Sequence, residues 1–120
     1  MLNLDTHILI YALEGKLKTA EERILRTDNW GISAVVLWEL TKLFQLKRIS
    51  LDIRSAEFSR GLSRIHVWPI DLVVCREILG LDFQSDPADE IIAATSITHK
   101  VPLVTRDSRI LGSKLVPIAK

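Results

Sequence analysis

Leu2-Asn3-Leu4-Asp5-Thr6-His7-Ile8-Leu9-Ile10-Tyr11 opens the chain with a short apolar run, an acid, and then residues of helical period. The succession recurs along the chain. Trp30 to Ile32, His66 to Trp68, Leu103 to Thr105 and Leu115 to Ile118 are further strand candidates, separated by longer stretches with helical spacing. None is amphipathic, as expected of strands covered on both faces. The expected class is α/β: a short, mostly parallel central sheet flanked by helices, three layers in all.

Helix starts are marked in the same way. Thr19-Ala20-Glu21-Glu22 reads as a capping box, Ser33, Asp52 and Asp71 as N-caps, and Asp86-Pro87 places proline at a first helical position. Gly80 to Ser85 is expected to hold a turn between two helices. With no repeat, low-complexity tract or linker, residues 1–120 are expected to form one domain.

At 120 residues, with 48% hydrophobic and 26% charged, the chain can bury a core, which excludes a disordered tail or a collagen-like segment. Sixteen basic against fifteen acidic residues leave +1, so no overwhelming positive field announces nucleic acid. The single cysteine, Cys75, permits no internal disulfide and no cysteine-based zinc spacing, and points to a reducing, cytoplasmic setting; within Leu72-Val73-Val74-Cys75 it is expected in the core. The start carries no basic leader, and the longest apolar run, Ala34 to Trp38 with its flanks, falls far short of the ~18 residues of a membrane span.

Most acids are expected on the solvated surface, among them Glu14, Glu21, Glu22, Asp28, Glu57, Glu77 and Asp82. Four, one of them with a neighbouring acid, resist that reading. Asp5 ends the first strand, at the sheet edge where open parallel sheets bind ligands, although an N-cap for a helix Thr6 to Leu13 is an equally ordinary role for it alone. Glu39 falls at the centre of an apolar helical arc with Val35, Val36, Leu43 and Leu46, where a carboxylate needs a partner, a proton or a cation. Asp86 and Asp89 share one side of a helix that continues through Ile91-Ile92-Ala93-Ala94; Asp86 as N-cap and Asp89 in a first turn favoured by the helix dipole would by themselves account for both, but small Ala93 and Ser96 on that side let another element approach closely. Asp107 closes Leu103-Val104-Thr105-Arg106-Asp107 before a short helix, Ser108 to Leu111, repeating the logic of Asp5.

Right-handed parallel topology brings the strand ends to one edge, so Asp5, Asp89 and Asp107 are expected to meet there, with Glu39 supplied by a packed helix. Four carboxylates at ~5 Å repel by roughly 3 kcal/mol per pair at an effective dielectric of ~20. A hard dication relieves that repulsion. An incomplete carboxylate shell suits Mg²⁺ or Mn²⁺ better than a closed zinc site, and His7, His66 and His99 show no i, i+4 pairing for zinc.

These residues resemble the PIN-domain family, and within it the VapC-type toxins of prokaryotic toxin–antitoxin pairs. The resemblance runs nearly end to end. It rests on Leu4-Asp5-Thr6 with Ile8-Leu9-Ile10-Tyr11, Ile32-Ser33 with Trp38-Glu39-Leu40, Asp86-Pro87-Ala88-Asp89 with Ile92-Ala93-Ala94, and Leu103-Val104-Thr105-Arg106-Asp107, in that order. It implies a PIN-like fold and a Mg²⁺- or Mn²⁺-dependent endoribonuclease. Asp5, Glu39, Asp89 and Asp107 stand at the family's acidic metal-holding and catalytic positions; Thr105 is the hydroxyl accompanying the last acid, and Asp86 is an outer acid on the substrate side. Glu90 departs from the arginine common in close relatives and makes the site more negative. A small antitoxin, a homodimer and an RNA substrate are implied partners.

RNA held against acids needs positive charge elsewhere, and Lys42, Lys47, Arg48, Arg54, Arg60 and Arg64 form either a candidate backbone-contacting rim or, equally, a solvated helical face with ordinary ion pairs. Trp30, Phe44 and Phe58 are expected in the core rather than at partner contacts. Two alternatives are a receiver-like phosphoacceptor module, which lacks its paired acids after the first strand, and a PIN-like fold that binds without cleaving.

Overall fold

A computed structural model describes residues 1–120. Its strands are β1 (Leu2–Leu4), β2 (Trp30–Ser33), β3 (His66–Trp68) and β4 (Leu103–Val104), all parallel, in the order β3-β2-β1-β4. Between them run α1 (Thr6–Glu14), α2 (Thr19–Leu25), α3 (Ala34–Gln45), α4 (Ala56–Leu62), α5 (Leu72–Ile78) and α6 (Pro87–His99), and α7 (Ser108–Leu111) follows β4. Leu2, Asn3 and Leu4 are all buried. Because successive strand side chains point to opposite faces, both faces of β1 are covered, which confirms the α/β class and the flanked parallel sheet.

The chain steps outward from β1 to β2 and β3, then returns to lay β4 on the other side of β1. That reversal opens a crevice beyond the carboxyl ends of β1 and β4, where such sheets bind ligands. A receiver-like sheet would run 2-1-3-4-5. Here β3 lies outside β2, so that alternative does not fit.

Two contacts fix how these elements fit together. Asn3, fully buried, donates from Nδ2 to the Ile92 carbonyl at 3.1 Å and to Ser96 Oγ at 2.9 Å, tying β1 to α6 where Ser96 is small enough to allow it. On β2, Gly31 leaves room for the Trp68 ring of β3, which would lie 2.5 Å from a Cβ there.

The expected fifth strand, Leu115 to Ile118, reduces to one bridge between Ile118 and Leu103. Pro117 has no N–H to give a ladder, and only its carbonyl is used, by Leu103 N at 2.8 Å. β3 is an edge rather than a central strand, with His66 and Val67 exposed. Cys75 is exposed too, because only Val74 of Leu72-Val73-Val74-Cys75 turns inward.

Ser33 and Asp71 cap α3 and α5 as expected. Asp52 does not cap a helix; Ser55 caps α4, and Asp52 accepts from Arg54 N. The N-cap of α2 is Lys18, one residue before the expected Thr19, and its N–H donates to Glu21. Trp30 and Phe58 pack against the core, while Phe44 lies under the Arg54 guanidinium at 5.4 Å. No helix is long and apolar enough to cross a membrane.

Candidate active site

The pairing of Leu4 with Val104 carries the strand register one step further, so that Asp5 and Thr105 lie side by side as both strands end. Asp5 N donates to the Val104 carbonyl at 3.0 Å. Its carboxylate accepts from Thr6 N at 2.8 Å and from Thr105 Oγ1 at 2.6 Å, and the Thr105 hydroxyl in turn accepts from Asp107 N at 3.0 Å. One hydroxyl thus joins the ends of both strands.

Around this junction opens a cavity of about 420 Å³ lined by Asp5, Glu39, Asp86, Asp89 and Asp107, together with His7, Ile8, Tyr11 and Arg106. All the acids expected to meet are there. Glu39 reaches in from α3, half-buried, and accepts from the buried Thr6 hydroxyl. Val35, Val36 and Leu43 of its arc do face inward, but Leu46 lies past the helix end and is exposed. Lys42 donates to Gln45 and gives Glu39 no partner. Asp89, in the first turn of α6, accepts from Ser85 Oγ at 2.9 Å.

Asp86 occupies the N-cap position of α6 without a side-chain capping bond and stays exposed at the cavity. Asp107 has a dual position: one oxygen caps α7 through Arg109 N and Ile110 N at 2.9 and 3.1 Å, while the residue lines the cavity. Glu90 does not line the cavity; it accepts from Ser85 N, so the expected addition to the site's charge is absent.

Burial pushes the Asp5, Glu39 and Asp89 carboxyls above the usual carboxylate range, against the opposing pull of their Thr105, Thr6 and Ser85 hydrogen bonds. Their mutual charges push the same way: Asp107 acts on Asp5, Asp5 and Asp89 on Glu39, and Asp5, Asp107 and Asp86 on Asp89. All-oxygen donors that raise one another's proton affinity suit a hard divalent cation. As they stand, each is turned onto a hydroxyl, and no three converge on one point.

None of the six basic residues of the expected rim lines the cavity; Arg106 does. Its Nε and Nη2 donate to both oxygens of Glu21, each at 2.6 Å, and its guanidinium lies 4.1 Å from the centre of the Tyr11 ring. Glu21 was expected on the surface, but its side chain is only 12% exposed and Arg106 holds its carboxyl below the usual range. Sequence reading also missed Thr6 and Ser85 as positioning groups. Thr6 lay within the Leu4-Asp5-Thr6 motif and was legible there; nothing in the turn before Pro87 singled out Ser85.

The family model for the PIN domain matches residues 3–112. Ribonuclease VapC22 of Mycobacterium tuberculosis (strain ATCC 25618 / H37Rv) is 32% identical over 114 residues, covering 89% of this chain and 87% of its own. Among solved structures, VapBC2 from Rickettsia felis bound to a DNA fragment from their promoter superposes with a TM-score of 0.74 at 18% identity, over 98% of this chain and 97% of that one. A toxin–antitoxin complex from Klebsiella pneumoniae gives 0.75 at 18% identity, over 99% and 97%.

Proposed function

The chain belongs to the PIN-domain family, and from that membership and the carboxylate cavity we propose that it is a VapC-type endoribonuclease, the toxin of a toxin–antitoxin pair. The observation that carries the reading is the convergence of Asp5, Glu39, Asp89 and Asp107, from four separate segments, on one cavity at the sheet's switch point.

These four would hold Mg²⁺ or Mn²⁺ through their carboxylate oxygens. When bound, the dication acidifies a coordinated water and offsets charge that develops on a phosphodiester in an in-line displacement. The chain's own part is to orient: Thr105 aims Asp5, Thr6 aims Glu39 and Ser85 aims Asp89, so that the acids hold position while the strand is attacked. Asp86, exposed on the cavity lining, is the acid nearest the arriving RNA in this reading, whereas Thr105, expected as a substrate contact, does not line the cavity and acts through Asp5.

A small antitoxin that fills the cavity and a second copy of the chain are the proposed partners; Trp38, Leu72, Val73 and Leu79 expose apolar surface for such contacts. The proposed setting is the cytoplasm, where the exposed Cys75 thiol stays reduced. The whole of residues 1–120 is proposed as the functional domain.

The test is cleavage of single-stranded and structured RNA by the purified chain with Mg²⁺ or Mn²⁺. EDTA should abolish it, and Asp5→Asn and Glu39→Gln should be inactive but folded. Full activity in either variant removes the mechanism. A folded wild-type chain that binds RNA and does not cut it favours the non-cleaving alternative.

A further inference from the structure

We propose that Arg106 is a phosphate clamp for the RNA strand, held ready by Glu21 and Tyr11; the inference rests on the ribonuclease reading above. A strand entering this cavity brings phosphates toward five acidic side chains, and Arg106 is the arginine among the residues that line it. The guanidinium carries five N–H donors. Glu21 takes two of them, along the Nε and Nη2 edge, and the Tyr11 ring covers one face.

Three donors remain, including one on each terminal nitrogen. They form the end-on edge, the fork that matches two oxygens of one phosphate. Glu21 therefore orients Arg106 without using up its fork, since a side-on pair leaves the end-on pair open. Pinned by one edge and one face, the side chain loses little further freedom when a phosphate arrives. Its place next to Asp107 in the chain sets the clamp beside the carboxylates, where it would hold a phosphate neighbouring the one attacked.

The experiment titrates a labelled single-stranded RNA with the Asp89→Asn chain in Mg²⁺ over a range of salt, with and without Arg106→Gln. Removing a bidentate phosphate contact should weaken binding about tenfold or more and lower the slope of log K against log salt by about 0.7, the loss of one neutralised phosphate on a single strand. Arg106→Lys should restore the slope and only part of the affinity, because a point charge lacks the fork. In an otherwise wild-type chain, Arg106→Gln should raise KM about tenfold and leave kcat within about threefold.

A merely structural link between Arg106 and Glu21 makes a different forecast. Arg106→Gln and Glu21→Gln would then lower Tm alike and leave the salt slope unchanged, and that result overturns the clamp. So does RNA cleavage by the wild-type chain with a KM indifferent to Arg106. A chain that never cuts RNA, yet shows the Arg106-dependent slope, sinks the nuclease reading and supports the clamp.

Discussion

Thr105 donates its hydroxyl to Asp5 at 2.6 Å across a hundred residues of sequence, and the same oxygen accepts from the backbone of Asp107. Removing that oxygen while keeping the shape tests its importance. Thr105→Val should keep the fold and cut RNA cleavage about 10- to 100-fold, the usual cost of losing a group that orients a metal-holding residue. Thr105→Ser should retain most activity. Equal activity in Val and Ser would show that Asp5 needs no such orientation.

Asp5, Glu39 and Asp89 bind their protons more tightly in the folded chain than in the unfolded one, chiefly through burial. Such groups favour folding while protonated. Their contribution falls as pH rises above about 4, where the unfolded carboxyls ionise, up to the raised folded values. In EDTA, Glu39→Gln should therefore flatten the decline in Tm as pH rises above the unfolded carboxyl range, relative to wild type. Mg²⁺ should raise Tm more at the higher pH, since it binds the ionised acids. A Tm increment that is no larger at pH 7.5 would contradict the site.

Asn3 should be among the most sensitive polar positions. It is fully buried, and two hydrogen bonds join it to α6, the helix that carries Asp89. Asn3→Ala should cost about 2–3 kcal/mol by denaturant titration, by leaving the Ser96 hydroxyl short of a partner and opening a void. Asn3→Asp should cost more, as a buried charge facing a carbonyl oxygen.

Gly31→Ala should also destabilise, by about 1–3 kcal/mol, through contact with a ring rather than lost backbone freedom. A compensating Trp68→Leu change should recover part of the loss, and a double-mutant cycle measures that coupling. Strict additivity would place the strain elsewhere.

The acids were legible in the sequence because each violated a local rule: Asp5 and Asp107 at strand ends, Glu39 on an apolar arc, Asp89 beside Asp86. The class followed from strand and helix alternation. What could not be read was settled by contacts between distant segments. Glu21 looked like any acid in a short exposed helix until Arg106, 85 residues on, folded onto it. The basic residues of the expected rim lie outside the cavity lining, since clustering along the chain does not say which cavity a residue faces; Arg54, for one, lies against Phe44 and Asp52. Leu115 to Ile118 had the apolar character of a strand, but its proline stops the ladder.

The sheet order places the last strand to be synthesised next to the first. For the proposed centre, this has a temporal meaning. While the polypeptide is still emerging from the ribosome, Asp5 waits without Thr105 or Asp107, and no competent centre exists. The cavity is complete only once β4 has slotted in beside β1 and Thr105 has reached Asp5.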